Sequence, residues 1–496
     1  MKKAIPILIL LILLVAAGIF FVFRDTNDEE TPLAYNESMA HDPMEYPEHI
    51  NEYVYPEEDM SPIDAEETQQ ERSERIGRER REFAESITRE QILDDFDYMM
   101  AVLEANFPFF DLTYRRHGVD IREEARRFRD VLADEDTPID AMVFEERLSW
   151  DFFNSIHWVG HLRTLTRLDY VIYMNIIANN PESYAAFCHG LTSRPSISQF
   201  YGDFNVYDYA KIMEQFETFE QEYNYFDTGV IAEGNIAYIR INTLLGDLDL
   251  SKTVLSEFYN QISDFEHLII DIRGNTGRLP HVFHELITIP HLRRPIQFEF
   301  ITFYKDGSYN LMFLDALFAT RYIDATNKPS HLYDESFIVT DEEIIGRDGR
   351  PLPLNTQYLP WGDLDAFKYY NIGFYYTLYP PGSNDFQSSF NGQMWLLTDR
   401  YSGSGSEHVV ALYKQENLAI IVGEQGWGMF MCPILLSNYF ALPNTGIIVR
   451  YDVGYPVCLH TGRPLEEGIP PHFHNRPGMD ALQTVLELIA EGAYKD

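Results

Sequence analysis

The chain has 496 residues, enough for one large core and two to four structural units. Its formal charge of −40 argues against a nucleic-acid binder, which needs a basic face against phosphate, and against docking of the globular part on anionic lipid. A composition of 45% hydrophobic and 23% charged residues fits an ordinary globular protein with a solvated acidic surface. The three cysteines, Cys188, Cys432 and Cys458, contain no CxxC pair, so neither a disulfide framework nor a zinc pattern is present. Cys432 and Cys458 can pair if their strands are neighbours; unpaired buried thiols are the alternative.

Lys2 and Lys3 precede an uncharged run from Ala4 to Phe23. A helix of that length spans about 30 Å, one hydrocarbon core. Residues 1–24 therefore read as a signal anchor or transmembrane helix in the lipid bilayer. The flanking lysines favour a single-pass cell-membrane protein with its globular part extracytoplasmic. A cleaved signal peptide is the alternative. Residues 25–85 read as an acidic linker, with 66–85 alternating acids and bases as an exposed helix or as more linker.

Residues 86–228 read as a helical N-terminal domain. Thr88 and Gln91 form a capping box ahead of the stripe Ile92, Phe96, Met99, Met100, Leu103 and Phe107, and Pro108 ends that helix. Further helices are expected over about 120–132 and 139–156, the latter capped by Thr137 or Asp140, and residues 164–227 look mainly helical. From residue 229 the pattern changes to strands alternating with helices. Val230–Ala232, the turn Glu233-Gly234-Asn235 and Ile236–Ile241 form a hairpin. A helix over 251–264, a buried strand over 267–272, a strand over 394–398, a helix over 405–415 and a strand over 419–422 follow. This alternation predicts an α/β core with parallel pairing over 229–496. Residues 300–390, aromatic and proline-containing, read as an irregular elaboration.

Two glycine-rich turns, each at the end of a buried strand, could carry chemistry. Ser402-Gly403-Ser404-Gly405-Ser406-Glu407 runs from a strand into a helix, where backbone N–H groups and the helix dipole favour a developing oxyanion. The same residue types suit a helix cap or a phosphate cradle. Asp271-Ile272-Arg273-Gly274-Asn275-Thr276-Gly277 lies where open α/β sheets form sites. His157 and His161 have a zinc-compatible i,i+4 spacing, but Trp158 stands where H-E-x-x-H needs Glu, so no metal is expected.

Taken together with Val422-Gly423-Glu424, Ile236–Ile241 and Gly468-Ile469-Pro470-Pro471, these turns resemble the C-terminal-processing (tail-specific) serine peptidase family, in its tricorn-core-like branch without a PDZ domain. The resemblance implies a ClpP/crotonase-like spiral core of ββα units behind the helical domain. It makes Ser404 the nucleophile, with an oxyanion hole from the N–H of Gly405 and one from Gly274 or Gly277, supported by Asn275 and Glu407. The lysine base of Ser–Lys members is replaced by Met429, and His472 stands where the closing motif has Asp. The tricorn-like arrangement then implies a histidine base. Gly160-His161-Leu162 is similar to the family's D-G-H-T turn, so His161 is the candidate base, with Glu466 or Glu467 as its carboxylate partner. The expected activity is hydrolysis of peptides or unfolded protein tails through an acyl-enzyme, with no cofactor and no nucleic acid. An inactive binding protein on the same fold, or a hydrolase of non-peptide esters or amides, are the rival readings.

Overall fold

The strand His267–Asp271 is buried along its whole length, as a strand covered on both faces must be. In the structure, a computed structural model, it is β4 of a six-stranded sheet. The structure describes residues 69–134, 139–179, 194–202, 226–242, 248–277, 280–321, 367–382, 385–428, 437–458 and 462–494, together with Asp136 and four two-residue strands between 333 and 352. The sheet order is β16 (Phe473–His474), β12 (Ile420–Gly423), β11 (Gln393–Thr398), β4, β3 (Ile236–Ile241) and β2 (Phe226–Ala232). Pairings from β16 to β3 are parallel, and β2 folds back antiparallel on β3 through the expected turn. The alternating strand–helix pattern thus forms the parallel α/β core it predicts.

Each sheet face buries its own residues. On one, Ile269, Trp395, Leu397 and Val422 pack against Ala481, Val485 and Leu488. On the other, Leu268, Ile270 and Leu396 join the main core. That core also holds Ile92, Phe96 and Leu103 of helix Arg89–Asn106, so one apolar interior runs across residue 229.

In the N-terminal half, α1 (Gln69–Ser86) occupies the segment left open between helix and linker. It is followed by α2 (Arg89–Asn106), with its Thr88–Gln91 capping box, and α3 (Phe110–His117), which ends at Gly118 in a left-handed conformation. Next come α4 (Ile121–Ala133), capped by Asp120, and α5 (Ala141–Arg147), capped by Asp140 and running into a π-turn. Then come α6 (Arg167–Asn179), α7 (Pro195–Tyr201) and α8 (Leu248–Gln261).

Two antiparallel sheets flank the core. In one, β15 (Gly454–Cys458), β5 (Ile296–Lys305), β10 (Phe367–Leu378) and β6 (Tyr333–Asp334) are neighbours in that order. The long β5–β10 pairing corrects the reading of residues 300–390 as irregular; the partners are too far apart in sequence for a hairpin signal. A small sheet of β7 (Ile338–Val339), β8 (Ile344–Ile345) and β9 (Pro351–Leu352) lies in the same stretch. In the other flanking sheet, β14 (Ile448–Asp452) sits between β13 (Ser437–Ala441) and β1 (Arg163–Thr164). The short β1 belongs to the helical half and pairs with the α/β half.

The signal anchor and most of the acidic linker lie outside the described residues, as do Cys188, Met429 and Cys432. Among the described residues, no helix is long and apolar enough to cross a membrane. Cys458 is a free, buried thiol.

Candidate active site

The Ser404 turn is built where neighbouring strands of the parallel sheet, β4 and β11, end side by side. Ser404 caps the N-terminus of α9 (Gly405–Gln415) with φ 52° and ψ −119°, a conformation a β-carbon resists. Hydrogen bonds across the turn hold it there. The Ser404 N–H donates to the Gly428 carbonyl at 2.8 Å, and Trp427 N–H to the Ser402 carbonyl at 2.9 Å. Asp399 Oδ1 accepts from the N–H groups of Gly274, Tyr401 and Ser402, each at 3.0 Å. Asn275 is buried: its Oδ1 accepts from Gly277 N–H at 2.9 Å and from Ser406 Oγ at 3.1 Å, and its carbonyl from Gly403 N–H at 3.3 Å. The two glycine-rich turns are therefore one unit. Gly277, at φ 95°, touches the nucleophile turn so closely that a β-carbon there would lie 2.3 Å from Gly405 N.

These bonds engage two of the three N–H groups expected at the oxyanion hole. The N–H groups of Gly274 and Gly277 are engaged by Asp399 and Asn275, because the turn closes on its own side chains. Gly405 N–H stands in the first turn of α9, where no intrahelical acceptor exists. It remains the donor placed at the positive end of the helix dipole.

The base turn is assembled at long range. β1 pairs antiparallel with β14, Arg163 opposite Arg450 and Thr164 opposite Val449. Extending that register by two residues sets His161 opposite Asp452. His161 Nδ1 lies 2.6 Å from Asp452 Oδ2, and each side chain is 4% exposed. Since a carboxylate only accepts, Nδ1 carries a proton, and in the neutral ring the lone pair is then on Nε2. Asp452 Oδ1 in turn accepts from Ser437 Oγ, which receives Arg450 Nη2 at 2.9 Å.

Asp452, not Glu466 or Glu467, is thus the carboxylate on His161. Glu466 is buried, and its Oε1 accepts the Gly160 N–H at 2.9 Å. Glu467 pairs with Arg115 at 3.1 Å and Arg463 at 3.7 Å. Residues preceding Gly468 turn their side chains to the backbone of the base turn and to surface cations. The only sequence hint of Asp452 was an acid closing an otherwise buried strand.

The base turn is itself strained. His157, Trp158, Gly160 and His161 all have positive φ, between 48° and 61°. At Gly160 a β-carbon would lie 2.5 Å from the Phe109 ring. His157 stacks on His117, ring centroids 4.0 Å apart. Among the described residues, no group of His, Cys, Asp and Glu is arranged to hold a metal.

The two turns are joined through two hydrogen bonds and a close backbone contact. Ser404 N–H reaches Gly428 O, Gly428 packs on the backbone of Glu466, and Glu466 Oε1 reaches Gly160 N–H beside His161. Glu407 braces the same loops: fully buried, it accepts from Gly428 N–H at 3.3 Å and Ile469 N–H at 3.0 Å. Burial pushes its carboxyl up to about 8 against those bonds and the nearby Arg116 charge. His472 is a structural acceptor, taking the Ile421 N–H at Nδ1 at 2.9 Å.

The model of peptidase family S41 matches residues 235–474, a span that includes Ser404 and Asp452 and leaves His161 outside. Three solved structures are similar at low identity. A candidate peptidase from Parabacteroides merdae ATCC 43184 is 15% identical over 80% of this chain and 96% of that one, with a TM-score of 0.44. The photosystem II D1 C-terminal processing protease is 15% identical over 53% of this chain and 51% of that one, with a TM-score of 0.29. A lipoprotein from Streptococcus agalactiae is 12% identical over 80% and 96%, with a TM-score of 0.34. No curated protein matches the chain. Residues 235–474, just under half of the chain, are thus the part that matches peptidase family S41.

Proposed function

We propose that the chain is a serine peptidase of the Ser–His–Asp type, using Ser404, His161 and Asp452 on peptides or unfolded protein tails. The observation that carries this reading is the buried His161–Asp452 pair, 2.6 Å apart, on a turn tied to the strained Ser404 turn. A serine hydroxyl becomes a competent nucleophile when a neutral imidazole removes its proton. His161 Nε2 takes the Ser404 Oγ proton as Oγ attacks the substrate carbonyl. Asp452 holds the imidazole in the right tautomer and stabilises the imidazolium. Gly405 N–H receives the oxyanion. Collapse of the tetrahedral intermediate passes the proton from Nε2 to the leaving amine, and water repeats the cycle on the acyl-enzyme. Residues 4–23 would anchor the enzyme in the bilayer with the globular part outside the cell.

The test is labelling with a fluorophosphonate probe, followed by turnover of matched peptide and ester panels. Labelling lost in Ser404→Ala, with peptide cleavage in the wild type, is the expected result. An unlabelled wild type would overturn it, and ester turnover without peptide cleavage would move the substrate class. Protease shaving of intact cells, followed by detection of the globular part, checks the location.

A further inference from the structure

We propose that Arg116 is the positioning residue that sets the spacing between nucleophile and base; the role rests on the reading of Ser404 and His161 above. Arg116 stands in the last turn of α3. Its guanidinium donates from Nη1 to the Glu466 carbonyl at 2.5 Å and from Nη2 to the Gly426 carbonyl at 3.2 Å. Each carbonyl belongs to a loop that holds one half of the site. The loop of Gly426 continues to Gly428, whose carbonyl receives Ser404 N–H. Glu466 receives Gly160 N–H, the neighbour of His161.

The guanidinium lies where these loops cross. A β-carbon at Gly428 would meet Glu466 O at 2.0 Å and Arg116 Nη1 at 2.6 Å. A planar fork can hold two carbonyls in one fixed relation, which an ammonium on a flexible stem cannot. Burial opposes the Arg116 charge, while the carboxylates of Glu466, Glu407 and Glu467 favour it. The neighbouring residues of α3 act on the same segments: Arg115 pairs with Glu467, and His117 stacks on His157 at the start of the base turn. The end of α3 is thus a brace from the helical half onto both loops. Among the described residues no hydrogen bond joins Ser404 Oγ to His161, so their approach depends on how those loops sit.

The experiment compares wild type, Arg116→Ala, Arg116→Lys and Arg127→Ala, the last a surface arginine paired with Glu124 at 2.8 Å. A displacement of about 1 Å in a reacting group can cost ~10²-fold. We expect kcat of Arg116→Ala to fall by about that factor with KM little changed. Dilute guanidinium chloride, below its denaturing range, should restore much of the loss in Arg116→Ala and nothing in Arg127→Ala. Arg116→Lys should stay impaired. Unchanged kcat, or a loss carried by KM and not rescued, would overturn the role. A second readout needs no activity, and so separates this idea from the peptidase reading. In Arg116→Ala, amide hydrogen exchange should quicken in 157–161, 424–428 and 464–468, while β3, β4 and β11 stay protected. Exchange unchanged in those loops, or raised throughout the core, would overturn it.

Discussion

The nucleophile turn and the base turn reach similar strain by opposite routes. Ser404 is held by neighbours on adjacent parallel strands: β4 and β11 end side by side, and Asp399 and Asn275 stitch their turns together. His161 is held by a two-residue strand that borrows its partner from the other half of the chain. The first is a rigid cradle inside a deep sheet. The second depends on the helical half staying docked, on Glu466 at Gly160 and on Asp452 at the ring. The proposed catalytic geometry, built this way, is only as firm as its long-range half.

The largest expected effect tests whether both halves act on one reaction. His161→Ala should lower kcat by about 10⁴-fold or more while fluorophosphonate-independent folding, read by circular dichroism, is kept. Near-wild-type turnover would separate the turns into unrelated features. The next contrast concerns which carboxylate serves the imidazole. Asp452→Asn removes the charge that stabilises the imidazolium and should cost about 10²–10⁴-fold in kcat. Glu466→Gln keeps an oxygen for Gly160 N–H and should cost less than about tenfold. Reversal of that order would return the role to Glu466.

Gly160→Ala probes the strain of the base turn directly. A side chain there meets Phe109 and is forced into a left-handed conformation, so about 2–4 kcal/mol of stability should be lost in urea denaturation. A neutral result would mean the turn can relax, and that its strain is not what sets His161.

The smallest effect is a pH dependence from Glu407. Its folded carboxyl is raised from 4.5 to about 8 by burial, so the folded state keeps a proton that the unfolded state has released. Its contribution is therefore present in full below about 4.5 and is lost as pH rises toward and through about 8. Thermal melts of Glu407→Gln should lack that share of the decline, at a cost of about 1–2 kcal/mol from a weakened bond to Gly428 or Ile469. An unchanged slope would show that the carboxylate is not buried as described.

The cradle was readable because its information is local. Apolar runs ending in glycine turns at residues 271–277 and 398–405 mark strands that stop where a site forms, and the expected strand and helix limits agree with those observed to within a few residues. The capping box at Thr88 was readable for the same reason. Asp452 was not, since nothing within ten residues distinguishes it from a buried structural acid. Nor was the engagement of Gly274 and Gly277, which depends on where the side chains of Asp399 and Asn275 turn. Nor was Arg116, whose acceptors are the backbone carbonyls of Glu466 and Gly426, more than three hundred residues away.

Residue pattern alone specified the parallel core and the serine turn at a helix start, because hydrophobic period and turn chemistry act over a few residues; the histidine turn upstream was marked by the family resemblance. Tertiary structure alone decided which carboxylate meets His161, which N–H groups stay available to an oxyanion and which side chain braces the loops. The first of those choices follows from a register between segments nearly three hundred residues apart, Arg163 with Arg450, and no local preference encodes such a register.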